Sequence, residues 1–169
     1  MNDVVETYFV GEVSVNERAV RLANNGDVRL FHGTSLNNAL QILEEGMVVS
    51  KEKNWKESED VFFFSLLKHQ ALYWGLICQH PPSCFRGKKI VLIEVLAPTL
   101  RELGFTFKSD SWGNRKDDVK PWIQYDEPWI KAEGKTHIPI EAIHSMVVYQ
   151  KKRILGWSFK DYRMSSILI

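Results

Sequence analysis

The segment Leu30-Phe31-His32-Gly33-Thr34-Ser35 sets three chemically useful groups in a row. Histidine offers a directional donor and acceptor. Glycine lets a ligand or another backbone come close. Ser35, placed ahead of a stretch with apolar residues at helical spacing, reads as an N-cap, so the free N–H groups of a helix start lie beside His32. Together they make a polar pocket floor at a strand end, although a glycine turn with a capping histidine is an equal reading. A second group is Phe62, Gln70 and Tyr73. Flat rings suit a planar or cationic ring partner, but Phe62, Phe63 and Phe64 also read as core, because alternate strand residues face opposite ways. A third is Glu127, in Gln124-Tyr125-Asp126-Glu127-Pro128-Trp129, with Glu133 as the fallback. A fixed carboxylate stabilises positive charge that develops in a reaction. Glu133, in Glu-Gly-Lys, reads more simply as a solvated turn residue. Cys78, His80 and Cys84 lie close in sequence without further ligands nearby, so two free thiols are expected rather than a zinc site.

The elements needed to hold these groups follow from periodicity and punctuation. Residues 4–10 read as a strand and 15–24 as a short amphipathic helix stopped by Asn25-Gly26. Val28 to Phe31 is a strand running into His32, and 36–45 a helix stopped by Gly46. Met47-Val48-Val49 is a short strand, 50–59 a polar loop and Val61 to Phe64 a strand. Ser65 to about Gln79 is a helix broken by Pro81-Pro82. Lys89 to Val95 is an uninterrupted apolar run, which predicts a central strand. Residues 103–121 read as an irregular excursion, and Glu127 to Lys131 and Ser145 to Tyr149 as strands. Strands and helices mix without regular alternation, so the fold class is α+β, in one domain over residues 1–169.

The His32-Gly33-Thr34 strand end, the following helix and the Gly46-Met47 pair resemble the first motif of the ADP-ribosyltransferase superfamily, closest to its poly(ADP-ribose) polymerase-like, His-Tyr-Glu branch. Val61 to Tyr73 is similar to that family's strand-then-helix unit, in which a strand aromatic precedes a helical Tyr by eleven residues, here Phe62 and Tyr73. Tyr125 to Lys131, with the Ile138-Pro139 turn and the last apolar strand, looks like its Glu-bearing end. The matches run in order over residues 28–148, about 70% of the chain. The resemblance implies a split β-sandwich of two antiparallel sheets with flanking helices. It implies NAD as substrate, with no metal. His32 would bond an NAD ribose hydroxyl and the Gly33 backbone the nicotinamide carboxamide, with Thr34 beside them. Phe62 and Tyr73 would sandwich the nicotinamide, and Glu127 would be catalytic together with His32. Two departures stand out: Phe62 replaces the usual Tyr, and Gln70 replaces a carboxamide-binding Ser. Trp112, Arg115, Trp122 and Tyr125, in the stretch before Glu127, are candidate acceptor contacts.

The activity implied is transfer of one ADP-ribose from NAD to a macromolecule, first of all a protein side chain, with nucleic acid not excluded. The alternatives are a catalytically silent module binding NAD, ADP-ribose or a partner, and an enzyme like the RNA 2′-phosphotransferases, whose second His-rich motif is missing here. With 22 Lys+Arg against 21 Asp+Glu the net charge is +1, so no global basic field argues for a nucleic-acid partner. The basic clusters at Arg86-Gly87-Lys88-Lys89 and Lys151-Lys152-Arg153 read as solvated. The amino terminus lacks the pattern of a signal peptide, and no apolar run reaches the ~18–20 residues of a membrane span. The expectation is a soluble protein acting in a cytoplasm, its own or that of a cell it enters.

Overall fold

The computed structural model describes residues 15–49, 61–77, 89–109, 129–151 and 162–167. Along the chain run α1 (Val15–Asn25), β1 (Arg29–Ser35), α2 (Leu36–Glu45), β2 (Met47–Val48), β3 (Phe62–Ser65), α3 (Lys68–Ile77), β4 (Lys89–Leu96) and α4 (Ala97–Glu102). There follow β5 (Thr106–Ser109), β6 (Trp129–Glu133), β7 (His137–Ile138), a 3-10 turn (Ile140–Ala142), β8 (Ile143–Lys151) and β9 (Tyr162–Ile167). Seven strands form one antiparallel sheet in the order β5-β6-β3-β1-β4-β8-β9, and β2 and β7 form a separate two-stranded ladder. The chain is thus α+β, with helices flanking an antiparallel sheet.

Two blocks make up the large sheet. On one side β1, β4 and β8 pair along nearly their full length, from Arg29↔Leu96 to Ser35↔Ile90 and from Lys89↔Gln150 to Val95↔Ile143. On the other, β3, β6 and β5 form a second continuous ladder. The blocks meet through one partner pair, Phe31↔Ser65. In place of two separate sheets there is one sheet split almost to its backbone between β1 and β3, with the small β2-β7 ladder apart from it.

The faces follow from strand parity. Leu30, Phe62, Phe64, Val91, Ile93, Ile130 and Met146 point to the main core, with Leu100, Phe105 and Phe107 packed beneath. The other face carries Phe31, Ile90 and Leu92, covered by Ala71, Leu72 and Leu76 of α3. Covered on both faces, β4 is central as its unbroken apolar run predicts.

Several boundaries have local causes. Ser35 caps α2 by accepting the N–H of Asn38 at 3.1 Å, and Gly46 ends it at φ 79°, donating its N–H to Ile42 at 2.8 Å. His137 donates a ring N–H to the carbonyl of Glu45 at 2.7 Å, which satisfies an end carbonyl of α2 from β7. Helix α3 starts at Lys68, not Ser65, because Ser65 stays in β3 and its hydroxyl accepts the N–H of Leu67 at 3.0 Å, a turn that separates strand from helix. Strand β6 runs Trp129–Glu133, and the first two residues of the expected strand, Glu127 and Pro128, lie outside the described residues. The expected irregular stretch from residue 103 instead contains edge strand β5. Its exposed backbone is met by the Asn24 amide, which donates to the Phe107 carbonyl at 3.0 Å and accepts the Phe107 N–H at 3.2 Å. The expected strand at 4–10 and loop at 50–59 lie outside the described residues, as do Cys78, His80 and Cys84.

Candidate functional site

The split between β1 and β3 lies beside His32. Continued past Phe31↔Ser65, the register would set Gly33 opposite Phe63, but the strands part before that pair forms. His32 spans the gap instead. Its Nδ1–H donates to the Phe63 carbonyl at 2.9 Å, and its ring meets Phe64 edge-on with centroids 6.1 Å apart. A carbonyl accepts only, so Nδ1 carries the proton and Nε2 the lone pair. Burial pushes the His32 pKa below its usual 6.5, outweighing the bond to Phe63, which raises it. A neutral imidazole with Nε2 as acceptor is suited to a hydroxyl donor.

Gly33 is needed for a reason the sequence does not reveal. A Cβ there would lie 1.8 Å from the Ala71 carbonyl oxygen and 3.2 Å from the Gly75 Cα. Helix α3 therefore rests backbone-on-backbone against β1, and the missing side chain is space for the helix rather than for a ligand on that face. Thr34 is buried, and its hydroxyl accepts from the Asn38 amide at 3.3 Å, tying β1 to α2. The structure thus places Thr34 in a contact between β1 and α2.

The aromatic expectation needs a correction. Phe62 is 5% exposed, in the main core, edge-on to Phe105 at 5.9 Å. Its partner across the ladder is Ala132, also buried there, so its ring has no free face for stacking. The exposed ring of the three phenylalanines is Phe63, 37% exposed. Phe63 shares the sheet face of Ser65, and hence of Phe31 and α3. On that helix Gln70 meets the end of β3, and the Tyr73 ring sits edge-on to Trp74 at 6.3 Å. The Ser65 hydroxyl donates to Gln70 Oε1 at 3.0 Å, which orients the Gln70 amide and leaves its NH2 as a donor.

Glu127 lies outside the described residues, and so do Trp112, Arg115, Trp122 and Tyr125. The strand that follows Glu127 begins at Trp129, the Cα partner of Ser65. The fallback Glu133 is the last residue of β6 and is ion-paired with Lys108 on β5, a structural use at the far end of the strand.

Two charged groups were missed in sequence. Glu94, 8% exposed at its side chain, receives the Arg29 guanidinium at 2.8 Å, with His144 Nε2 at 3.8 Å. His144 is the extra residue where the β4-β8 register shifts, a bulge that aims it at Glu94. Burial, and then the Glu94 charge, push the Tyr149 pKa up. The signal was a lone acid inside Lys-Ile-Val-Leu-Ile-Glu-Val: a buried acid needs a partner. The other is Lys131, buried on β6 beside Phe63. Among the described residues no three His, Cys, Asp or Glu side chains converge as metal ligands, and no helix is long and apolar enough to cross a membrane.

No protein-family model matches the chain, and no curated protein matches it in sequence.

Proposed function

We propose that the protein is an NAD-dependent ADP-ribosyltransferase that moves a single ADP-ribose to a macromolecular acceptor, a protein side chain first of all. The observation that carries this reading is the position of Ser65. It pairs with Phe31 beside His32, pairs with Trp129 at the start of the strand after Glu127, and bonds Gln70 of α3. Three segments far apart in sequence thus meet at one end of β3. The split beside that meeting point favours the split-sandwich form of the fold.

In this reading the nicotinamide ring lies between Phe63 and Tyr73, and the Gln70 NH2 meets the carboxamide oxygen. His32 Nε2 accepts a ribose hydroxyl, fixing the sugar. The bond between ribose C1′ and the ring nitrogen breaks. Its electron pair goes to the ring, which leaves as neutral nicotinamide, and positive charge develops on the ribose. Glu127 stabilises that charge and takes the proton of the acceptor nucleophile as the new bond to C1′ forms. Only Pro128 separates Glu127 from Trp129, which bounds their Cα atoms to about 7 Å apart, so the chain ties Glu127 to the strand that pairs with Ser65.

The test is calorimetric titration of NAD into the full chain, with nicotinamide release followed in parallel. Wild type is expected to bind and to release nicotinamide, and His32→Ala to weaken binding at least about tenfold, the loss of a hydrogen bond in a desolvated site. Binding without release would point to a silent NAD-binding module. No binding at all would refute the reading.

A further inference from the structure

Arg29, Glu94 and Lys68 take no part in the reaction outlined above. Phe31 and Glu94 are Cα partners across β1 and β4, so their side chains share one sheet face, the face that α3 covers. Each of the two anchors a cation. The Glu94 carboxylate receives Nη1 of Arg29 at 2.8 Å, and the Lys68 ammonium, from the first residue of α3, stands over the Phe31 ring at 5.4 Å. Those anchors are Cα partners about 5 Å apart. The acid is buried while both cations are exposed: Glu94 shows 8% of its side chain and Arg29 47%. Among the described residues Glu94 takes one of the five N–H donors of Arg29, and Lys68 has no carboxylate partner. Half-exposed His144 stands at the same Glu94 oxygen, 3.8 Å away. Cations held side by side repel unless anions offset them, and one buried carboxylate offsets only one.

We propose that Arg29 and Lys68 form an anion site that takes a phosphate group, with the buried Glu94 fixing the Arg29 guanidinium in place. The identity of that phosphate, the diphosphate of NAD, rests on the NAD reading. Arg29 offers N–H groups in a planar fork and Lys68 a point charge, and both suit phosphate oxygens. The rung that joins Glu94 to Phe31 continues to Ser65, whose hydroxyl bonds Gln70. Ser65 and Glu94 are thus two strand spacings apart, about 10 Å. One ribose and its phosphate cover such a span. With the carboxamide at Gln70, the diphosphate comes to Arg29 and Lys68. The pair therefore selects a phosphorylated nicotinamide ribose over a bare one.

The test compares nicotinamide mononucleotide with nicotinamide riboside, the same ring and sugar with and without the phosphate. Both are titrated into wild type, Lys68→Met, Lys68→Arg and the paired Arg29→Gln, Glu94→Gln variant, which strands no buried charge. The ratio of the two affinities within each protein cancels the ring and sugar contacts. Wild type is expected to prefer the mononucleotide about fivefold or more, the strength of a good exposed ion pair. Lys68→Met and the paired variant should each lose most of that preference, and Lys68→Arg should keep it. Salt at about 0.5 M should shrink the wild-type preference. Should the riboside bind too weakly to measure, NAD affinity decides, with a loss of about fivefold expected in Lys68→Met. If wild type shows no preference, or Lys68→Met keeps the wild-type preference and NAD affinity, the inference is overturned while the NAD reading stands. If wild type binds neither compound nor NAD, the NAD reading falls and the inference with it.

Discussion

Replacing Gly33 with alanine sets a Cβ 1.8 Å from the carbonyl oxygen of Ala71 and 2.7 Å from its carbonyl carbon. Ordinary contact is about 3.4 Å, so α3 must rise by about 1.5 Å, and no flexible side chain can yield in its place. The helix covers Phe31, Ile90 and Leu92, and lifting it loosens all of those contacts. Overpacking of this kind costs about 1–3 kcal/mol, occasionally more. With backbone on both sides, about 3 kcal/mol is the reasonable figure, which in a chain of this size lowers Tm by about 6–12 °C. In Gly75→Ala the new Cβ lies 2.7 Å from the Gly33 carbonyl carbon, a smaller intrusion. The helix propensity of alanine returns about 1 kcal/mol there, so its Tm should fall by about a third as much. The double variant should lose less than the sum, because a helix lifted once admits both methyl groups. Thermal unfolding by circular dichroism of the four proteins measures this. A Gly33→Ala protein within about 2 °C of wild type would refute the backbone-on-backbone seat of α3.

Further outcomes follow from the same contacts. His32 has a folded pKa below its unfolded value, so below about pH 6.5 the unfolded chain binds a proton that the folded chain resists. Stability is full above that pH and falls as the pH drops toward the folded pKa. Tm measured between pH 7.5 and 5.5 should fall more steeply for wild type than for His32→Gln, and parallel slopes would contradict the buried neutral imidazole. Arg29→Met strands the buried Glu94 carboxylate and should cost about 2 kcal/mol in urea unfolding, reduced from the usual penalty because Arg29 is half exposed. Adding Glu94→Gln should recover most of that loss, and purely additive losses would mean the pair is not coupled. Phe62→Leu should cost about 1 kcal/mol of stability and leave NAD affinity unchanged. Phe63→Leu should do the reverse, and a titration with the opposite ranking would return the stacking role to Phe62.

The helix Leu36–Glu45 was legible almost to the residue, because Ser35 and Gly46 punctuate it and each acts locally. Strand β4 was legible because burial on both faces leaves an unbroken apolar run. What escaped depends on partners distant in sequence. Alternation in Phe62-Phe63-Phe64 shows that neighbours face opposite ways, but which face is core is set by Ala132 and Ile130 on β6, some seventy residues on. Gly33 reads as a ligand glycine or a turn glycine until Ala71 and Gly75 are laid against it. Strand β5, four residues long, and helix α4, six, are too short for any period to emerge. The Glu94 cluster needed the bulge that turns His144 toward it, and a register shift leaves no mark in one strand alone. The sequence places His32 just past a strand and Gln70 and Tyr73 on a later helix; the structure has His32 within β1 and the other two on α3.

The proposed transfer chemistry depends on Glu127. Labelled NAD, incubated with the full chain and a cell lysate, should pass label to macromolecules in the lysate. Glu127→Ala should fold with an unchanged Tm, still bind NAD, and lose that transfer by a factor of about 10² or more. Transfer by Glu127→Ala at the wild-type rate, or no label transferred by wild type, would contradict the account.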